Sequence, residues 1–486
     1  MKRFFSIAAA FVLASACMCF SCGADPLDDF MSSLGKYKGI QFQKYEDHIE
    51  IIGCDDEVEE LEIPENILGK PVTKVREKAF YFAKFKKAVI PGTIKNVASE
   101  SFCNCRYLEE LTLSEGIELL DVSAFESCTK LSSVTIPESV RAIKINVFKN
   151  CSSLSNVNFP EHVDILGIAF EGTPFYDNQA EIKYAGNWMI GCDSNVSYVT
   201  FKPGTRGITS RTFKDNKLLK SVSIPEGVVR IGSHVFEGCE NLEAVDLPDS
   251  LISMGEGAFT GTPLIENQTG VLYVDGWVVD YCDNTLTSVN IKEGTRGIAA
   301  FSFWLSSIEE LTLPQSLKFI CEQSFLSCEK LKSVTIPSGV SVIGTNVFNQ
   351  CYGLERIVIM NPDCEIYDND STFGKLSDDN TKSCDYTLYS YKNSSAQAYA
   401  EKYNRKFFAI NNYGVIGDSN GDKKVSAADA SAIFSEYKRN YRGEASKFTG
   451  QQIKVCDSNE DEKLTAFDAS YAFSAYKKAY MANGEY

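Results

Sequence analysis

Phenylalanine recurs along this chain every 22 or 23 residues: at Phe80, Phe102, Phe125, Phe148 and Phe170, then at Phe213, Phe236 and Phe259, then at Phe303, Phe325 and Phe348. A fixed period of this length marks a repeat array, because so short a unit cannot bury its own apolar face. After most of these anchors comes a version of L-x-x-V-x-I-P: LSSVTIP (131–137), LKSVSIP (219–225), LEAVDLP (242–248) and LKSVTIP (331–337). Alternation that ends at proline fits a short strand with Leu, Val and Ile turned inward. Segments such as VVRIGSHVFEGC (228–239) then return Val, Ile, Phe and Cys to the core. Stacked neighbours must supply that core. The anchors predict a solenoid of about eleven parallel-strand repeats, roughly 50 Å long at ~4.8 Å per strand.

Two intervals are longer, 43 residues from Phe170 to Phe213 and 44 from Phe259 to Phe303. The two additions match each other, GTPFYDNQ…NWMIGC…GTRGI (172–208) against GTPLIENQ…GWVVDYC…GTRGI (261–298), so a larger block has duplicated. Trp188 and Trp277 correspond; the favoured reading is that each packs its insertion onto the stack, the other being that they, rather than the outward strand face, meet a sugar or peptide. Of 17 cysteines, Cys105, Cys128, Cys151, Cys239, Cys328 and Cys351 each stand three residues after an anchor Phe. That makes them a repeat position, small and buried with a weak S–H donor, rather than a disulfide set. Cys192 and Cys282 lie ~19 Å apart in such a stack and cannot bridge; Cys364 with Cys384 is left open. The outward strand residues, such as Glu110/Thr112, Ser133/Thr135 and Ser333/Thr335, are small and polar, with no aromatic platform.

These units resemble the BspA-like leucine-rich repeats of bacterial surface and secreted proteins. The resemblance rests on the strand-I-P ending, the I-G-x-x-x-F segment, the C-x-x-L step and the tail AQAYAEKY (396–403), and it covers about residues 36–410. It implies a leucine-rich-repeat solenoid with an interaction role and names no ligand. Ahead of it, Lys2-Arg3 and the apolar run Phe4–Ala16 read as an export signal cut after Ala16 or Ala24. That run is too short to span a membrane. Cys17 after Ala14-Ser15-Ala16 leaves a lipid anchor open.

The C-terminal segment carries another duplicated pattern. Asp418, Asn420, Asp422, Ser426 and Asp429 fall at positions 1, 3, 5, 9 and 12 of one loop, and Asp457, Asn459, Asp461, Thr465 and Asp468 fall at the same positions of a second. With main-chain carbonyls at Lys424 and Lys463, each loop offers six or seven hard oxygens, the donor set for one calcium ion. Three carboxylates crowded together repel one another without the ion, so metal binding and folding should be coupled. An EF-hand would have Gly at position 6 and Glu at position 12; here position 6 holds Lys423 and Glu462, and position 12 holds Asp. A matching helix follows each loop, DASAIFSEYKR (429–439) and DASYAFSAYKK (468–478).

Loop and helix repeated in this way resemble a type I dockerin module, over about residues 412–480. The resemblance implies a small all-α domain with two EF-hand-like loops, two calcium ions, and a cohesin domain of a scaffoldin as partner in a cellulosome. It carries cohesin contacts onto Ala427, Ala428, Phe434, Ser435 and Arg439, and onto Ala466, Phe467, Phe473, Ser474 and Lys478. Ala-Ala and Ala-Phe stand where many dockerins have Ser-Thr, which leaves the cohesin class open. The likeness of the two helices implies that either could dock.

A formal charge of -17 argues against nucleic acid or an anionic membrane surface as partner. The three histidines, His48, His162 and His234, lie on different repeats, and no HExxH, G-x-S-x-G or Walker loop occurs. The expected organisation is a signal peptide (1–24), an N-terminal cap (25–75), the solenoid (76–360), its C-terminal cap (361–410) and the dockerin (411–486). The expected function is that of a non-catalytic, extracellular cellulosome component, serving polysaccharide breakdown, whose solenoid meets an unknown protein or polysaccharide. Two other readings stay open: a polysaccharide or peptide hydrolase with its site in the insertions, and a lipid-anchored surface adhesin.

Overall fold

The computed structural model describes residues 33–193, 196–283, 285–374, 386–410, 427–442, 447–448 and 456. The expected signal segment lies outside them. The chain divides into two compact units, one of Met1–Asp283 with Gly297–Ser302, the other of Asn284–Arg296 with Phe303–Tyr486.

The first unit opens with a five-stranded sheet in the order Leu34–Tyr37, Ile40–Lys44, Ile49–Cys54, Lys70–Val75, Asn66–Ile67. Parallel pairing starts inside it, between Ile49–Cys54 and Lys70–Val75. Each repeat then contributes two short strands to two parallel ladders. One ladder runs through Glu60–Glu62, Lys87–Ile90 and Glu110–Leu113, and Ser133–Thr135 pairs likewise with Asn156–Asn158. The other takes Asn96–Val97, Leu119–Leu120, Ala142–Ile143 and Asp164–Ile165 in order. Val134 and Val157 are partners and both are buried, whereas their neighbours Ser133, Thr135, Asn156 and Asn158 are exposed. A one-residue slip would turn every Val outward, so the L-x-x-V-x-I pattern sets the register.

The anchor phenylalanines stack ring on ring. Centroid spacings run 4.8, 5.2, 5.5 and 5.6 Å from Phe80 to Phe170, and 5.3 and 5.4 Å from Phe213 to Phe259. Backbone bonds hold the same turn: Phe125 N–H donates to the Val147 carbonyl at 2.9 Å, and Ser127 N–H to Lys149 at 2.8 Å. The ladder cysteines are buried free thiols. The thiols of Cys105, Cys128, Cys151 and Cys239 donate to the carbonyls of Phe80, Phe102, Phe125 and Phe213, each one repeat earlier, at 3.0–3.3 Å. Where cysteine is missing, another small polar group stands in. Asn216 donates to the Val196 carbonyl at 2.9 Å, and Thr262 to Phe259 at 2.7 Å. The position calls for a compact donor, which adds a second bond to a Phe carbonyl that already accepts a backbone N–H, as Phe125 does from Cys128 at 3.3 Å.

A further tie joins successive turns. The Glu115 carboxylate accepts the N–H groups of Glu138 and Ser139, both at 3.0 Å, and Glu226 accepts those of Asp249 and Ser250. Ion pairs also step from repeat to repeat, as Lys144–Asp121 (3.1 Å) and Lys149–Glu171 (2.8 Å) do. Exposed pairs of this kind contribute ~0–1 kcal/mol each and mainly reinforce the register.

Both insertions have one design. A one-turn helix, Pro174–Asp177 or Pro263–Glu266, precedes an antiparallel hairpin, Ile182–Ala185 with Trp188–Cys192 or Val271–Val274 with Trp277–Tyr281. Thr173 caps the first helix through a bond from Tyr176 N–H at 3.2 Å. The second hairpin strand joins the parallel ladder beside Gly207–Ile208 or Gly297–Ile298. The longer intervals therefore add a level to the stack.

In the second unit one ladder takes Ser288–Asn290, Glu310–Thr312, Ser333–Ile336, Arg356–Ile359, Thr387–Tyr391 and Lys406–Ile410 in parallel. The other holds Phe319–Ile320, Val342–Ile343 and Glu365–Ile366. Phe303, Phe325 and Phe348 stack at 4.9 and 5.3 Å, and Phe373 continues the column at 6.2 Å. The repeat geometry thus runs past Ile359, where its sequence pattern fades. Between the last two strands lies the helix Ser395–Lys402, capped by Ser394, whose Tyr399 meets Phe373 edge-on at 5.1 Å. Cys364 is a buried free thiol, so the bridge left open to Cys384 is not made; Cys384 itself lies outside the described residues.

Candidate functional site

The helix Ala427–Tyr441 follows the first predicted calcium loop. Ala430, Ile433 and Glu436, spaced three apart, are buried, as is Cys456. Asp429, which closes the loop at position 12, is also fully buried, in the first turn. The opposite face carries Ala428, Phe434, Ser435 and Lys438, all exposed. Phe434 is 44% exposed and so is not simply a core residue. The Lys438 ammonium sits 4.3 Å from its ring centroid, and the Tyr437 ring lies 6.1 Å away. Ser435 Oγ donates to the Ser431 carbonyl at 2.7 Å. Arg439 is half-buried, 3.7 Å from the Glu436 carboxylate, which also accepts the Lys447 N–H at 2.8 Å.

Among the residues expected to contact cohesin, the helix thus displays Ala428, Phe434 and Ser435 together, with Arg439 at their edge and Ala427 in its first turn. Asp418, Asn420, Asp422, Lys424, Ser426, Asp457, Asn459, Asp461, Lys463, Thr465 and Asp468 lie outside the described residues, as do Ala466, Phe467, Phe473, Ser474 and Lys478. The calcium fit therefore rests on Asp429 and on the donor chemistry. A carboxylate withdrawn from water at a helix N-terminus is a group that a cation or a set of donors must satisfy. Oxygen donors alone select a hard ion.

Elsewhere the structure bears out the packing reading of the insertion tryptophans. Trp188 and Trp277 are at most 1% exposed and cannot stack on a ligand. Each indole lies across a glycine of the neighbouring strand, Gly207 or Gly297, and a Cβ there would overlap the ring. Exposed large rings include Tyr81, Phe82, Tyr107, Tyr198, Trp304, Tyr367 and Phe408. On the last ladder strands Arg356 packs 4.4 Å from the Tyr389 ring, which meets Phe408 at 5.7 Å. The outward face is therefore not small and polar to its end. The alternation in TLYSY (387–391) and KFFAI (406–410) was the available signal.

Several buried thiols are muted. Burial pushes the thiols of Cys54, Cys192 and Cys364 up to about 12 and those of Cys103 and Cys239 up to about 11. Such thiols stay protonated and poorly nucleophilic near neutral pH. Burial also raises the Asp280 carboxyl, although Tyr281 N–H donates to it at 2.7 Å. Its register counterpart in the first insertion is Gly191, so the duplicated block does not duplicate this acid. Among the described residues no cluster of three or more His, Cys, Asp or Glu side chains could hold a metal. No helix among them is long and apolar enough to cross a membrane.

A family model for the BspA type leucine rich repeat region matches in six copies, over residues 73–183, 186–271 and 270–375. The chain belongs to the BspA-type leucine-rich repeat family. A second model, the dockerin type I domain, matches residues 416–471. Among solved structures, the leucine-rich repeat protein of T. pallidum is 25% identical, covering 47% of this chain and 88% of that one, with a TM-score of 0.29. A leucine-rich cell surface protein of Faecalibacterium prausnitzii is 18% identical (77% and 94% covered, TM-score 0.26). A leucine-rich repeat protein of Bacteroides ovatus is 19% identical (78% and 100%, TM-score 0.26). No curated protein matches the chain. The dockerin implies calcium-dependent cohesin binding and assembly of the cellulosome type, and the repeats imply interaction; both are non-catalytic module types.

Proposed function

We propose that this chain is an exported, non-catalytic cellulosome component, docked to a scaffoldin through its C-terminal module and presenting its leucine-rich repeats to a further ligand. In this reading residues 1–24 are the signal, 25–75 and 361–410 cap the repeats of 76–360, and 411–486 form the dockerin. Two calcium ions are held, one by Asp418, Asn420, Asp422, Lys424, Ser426 and Asp429, the other by Asp457, Asn459, Asp461, Lys463, Thr465 and Asp468. The ions supply the positive charge that lets the crowded carboxylates fold around them.

One observation carries the reading: a single helix buries Asp429 on one face while it exposes Ala428, Phe434 and Ser435 on the other. Metal and partner can then act on opposite faces of one rigid element. Ala466, Phe467, Phe473, Ser474 and Lys478 would form the equivalent surface of the second half. The test mixes the full chain with scaffoldin cohesins from its own source, with calcium or with EGTA, on native gels. A complex that forms with calcium and is lost on chelation is expected. If every cohesin fails to shift the protein, or if the shift survives EGTA, the reading is wrong.

A further inference from the structure

The outward face of the ladder that ends at Lys406–Ile410 changes character over its last strands. Thr335, Val358, Tyr389 and Phe408 are register partners across four adjacent strands, and Ser333, Arg356, Thr387 and Lys406 form a second row beside them. Earlier strands of this ladder carry Ser288 with Asn290 and Ser333 with Thr335 there, all small, polar and exposed. The last three replace them with an apolar row and a row that holds two cations. The Phe408 ring, on the final strand, is 44% exposed.

These groups touch one another. The Arg356 guanidinium lies over the Tyr389 ring, 4.4 Å from its centroid, and that ring meets Phe408 at 5.7 Å with a 37° tilt. Val358 belongs to the same outward row and is only 6% exposed. Packing on a ring fixes the guanidinium, while its N–H donors, which lie in its plane, stay available. Among the described residues no carboxylate answers its charge. Glu355, beside it in sequence, does not pair with it, whereas lysines of other repeats find acids, as Lys144 does at Asp121 (3.1 Å). A fork of donors held in place and left without an anion is ready for a carboxylate.

We infer that Arg356, Tyr389 and Phe408 form a binding site for a polysaccharide that carries uronic acids. The inference rests on the reading of the repeats as a recognition module and supplies its ligand class. A hexuronate presents both chemistries at once: its C–H face packs on the rings, and its carboxylate takes the two parallel bonds that a guanidinium offers. A neutral sugar would leave the guanidinium without an anion, and a small carboxylate would leave the rings bare. A folded protein is disfavoured by size. The apolar row has three members and ends with the last strand of the ladder, against about 20–30 residues a side in a standard protein interface. Charges farther than about 8 Å are largely screened at physiological salt, so the cations of this face, Arg356 and Lys406, outweigh the net charge of -17 for a ligand seated there.

The experiment runs the full chain through native gels containing polygalacturonate or glucuronoxylan, with methyl-esterified pectin and arabinoxylan as their uncharged counterparts. EGTA in the gels keeps calcium from bridging the uronates to the protein. Phe408→Thr installs the residue that Thr335 already supplies on this row, and Arg356→Gln removes the charge while keeping a planar polar group. Retention by at least one acidic glycan is expected, weakened about tenfold or more in either variant and with the uncharged counterpart, at unchanged melting temperatures. Arg356→Lys keeps the charge without the paired bonds and should bind between wild type and Arg356→Gln. Absence of retention by both acidic glycans, equal retention by their uncharged counterparts, or equal retention of wild type and variants overturns the site. So does capture on immobilised poly-glutamate that is lost in Arg356→Gln while neither glycan retains the protein, since the ligand would then be an acidic peptide. Cohesin binding is scored in parallel with calcium, so its failure counts against the assembly reading alone.

Discussion

The Trp188 indole covers Gly207 of the neighbouring strand so closely that a Cβ there would lie 2.6 Å from Cε3 and nearer still to Cζ3. Trp277 and Gly297 repeat the arrangement in the second insertion. The shared G-T-R-G-I segments are thus half of a tryptophan-on-glycine fit that seats each hairpin on the ladder.

Gly207→Ala should destabilise the protein by ~1–3 kcal/mol through overpacking, and Trp188→Ala by ~3–5 kcal/mol through the cavity it leaves. Combined, they should cost less than their sum, since each removes the other's conflict. Urea denaturation of the four proteins measures the coupling; strict additivity would refute the fit.

Native protein should resist thiol alkylation at Cys105, Cys128, Cys151, Cys239, Cys328 and Cys351, which are buried, while the exposed Cys282 reacts. Mass spectrometry after brief iodoacetamide treatment checks this. Cys128→Ala, which removes the bond to Phe102, should cost on the order of 1–2 kcal/mol. Labelling of the ladder thiols as fast as Cys282 would contradict their packing.

Stability should fall at both ends of the pH scale. Glu115 is held below the usual carboxylate range, chiefly by the N–H of Glu138 and also by Ser139. Its contribution is present above the unfolded carboxylate value of ~4.3 and is lost as pH falls through the lower folded value. Cys239 has the opposite sign. Pushed up to about 11 by burial, it contributes fully below the unfolded thiol value of ~8.5 and loses that contribution as pH rises towards the folded one. Melting curves of Glu115→Gln and Cys239→Ala should be flatter at the acid and alkaline limbs respectively; unchanged limbs would sink the assignments.

Asp429→Asn should weaken calcium binding at the first loop by about tenfold or more, near 1.4 kcal/mol, as read by titration calorimetry. Phe434→Ala should leave calcium binding and melting within ~0.5 kcal/mol of wild type. Yet it should weaken cohesin binding by ~1–2 kcal/mol when that helix docks. A Phe434→Ala variant that melts early would return the ring to a core role.

Much of this was legible because the repeat is periodic. The Phe column, the Cys column and the inward Val of each strand follow from spacing alone, and so does the match between the insertions. Phe373 was missed because it stands 25 residues after Phe348, outside the usual step, in a segment with no L-x-x-V-x-I-P after it. That the insertion tryptophans pack was the favoured reading, but the glycine each covers, 19 or 20 residues later, is fixed only when the strands are placed side by side.

By itself the sequence determined the unit, its period, its parallel stacking and its register, since these follow from which residues recur and which alternate. The oxygen donors proposed for the C-terminal loops are likewise read from spacing alone. Only the tertiary structure decided which aromatic rings meet water. Exposure depends on what the next coil brings against a side chain, and that neighbour lies about one repeat away along the chain.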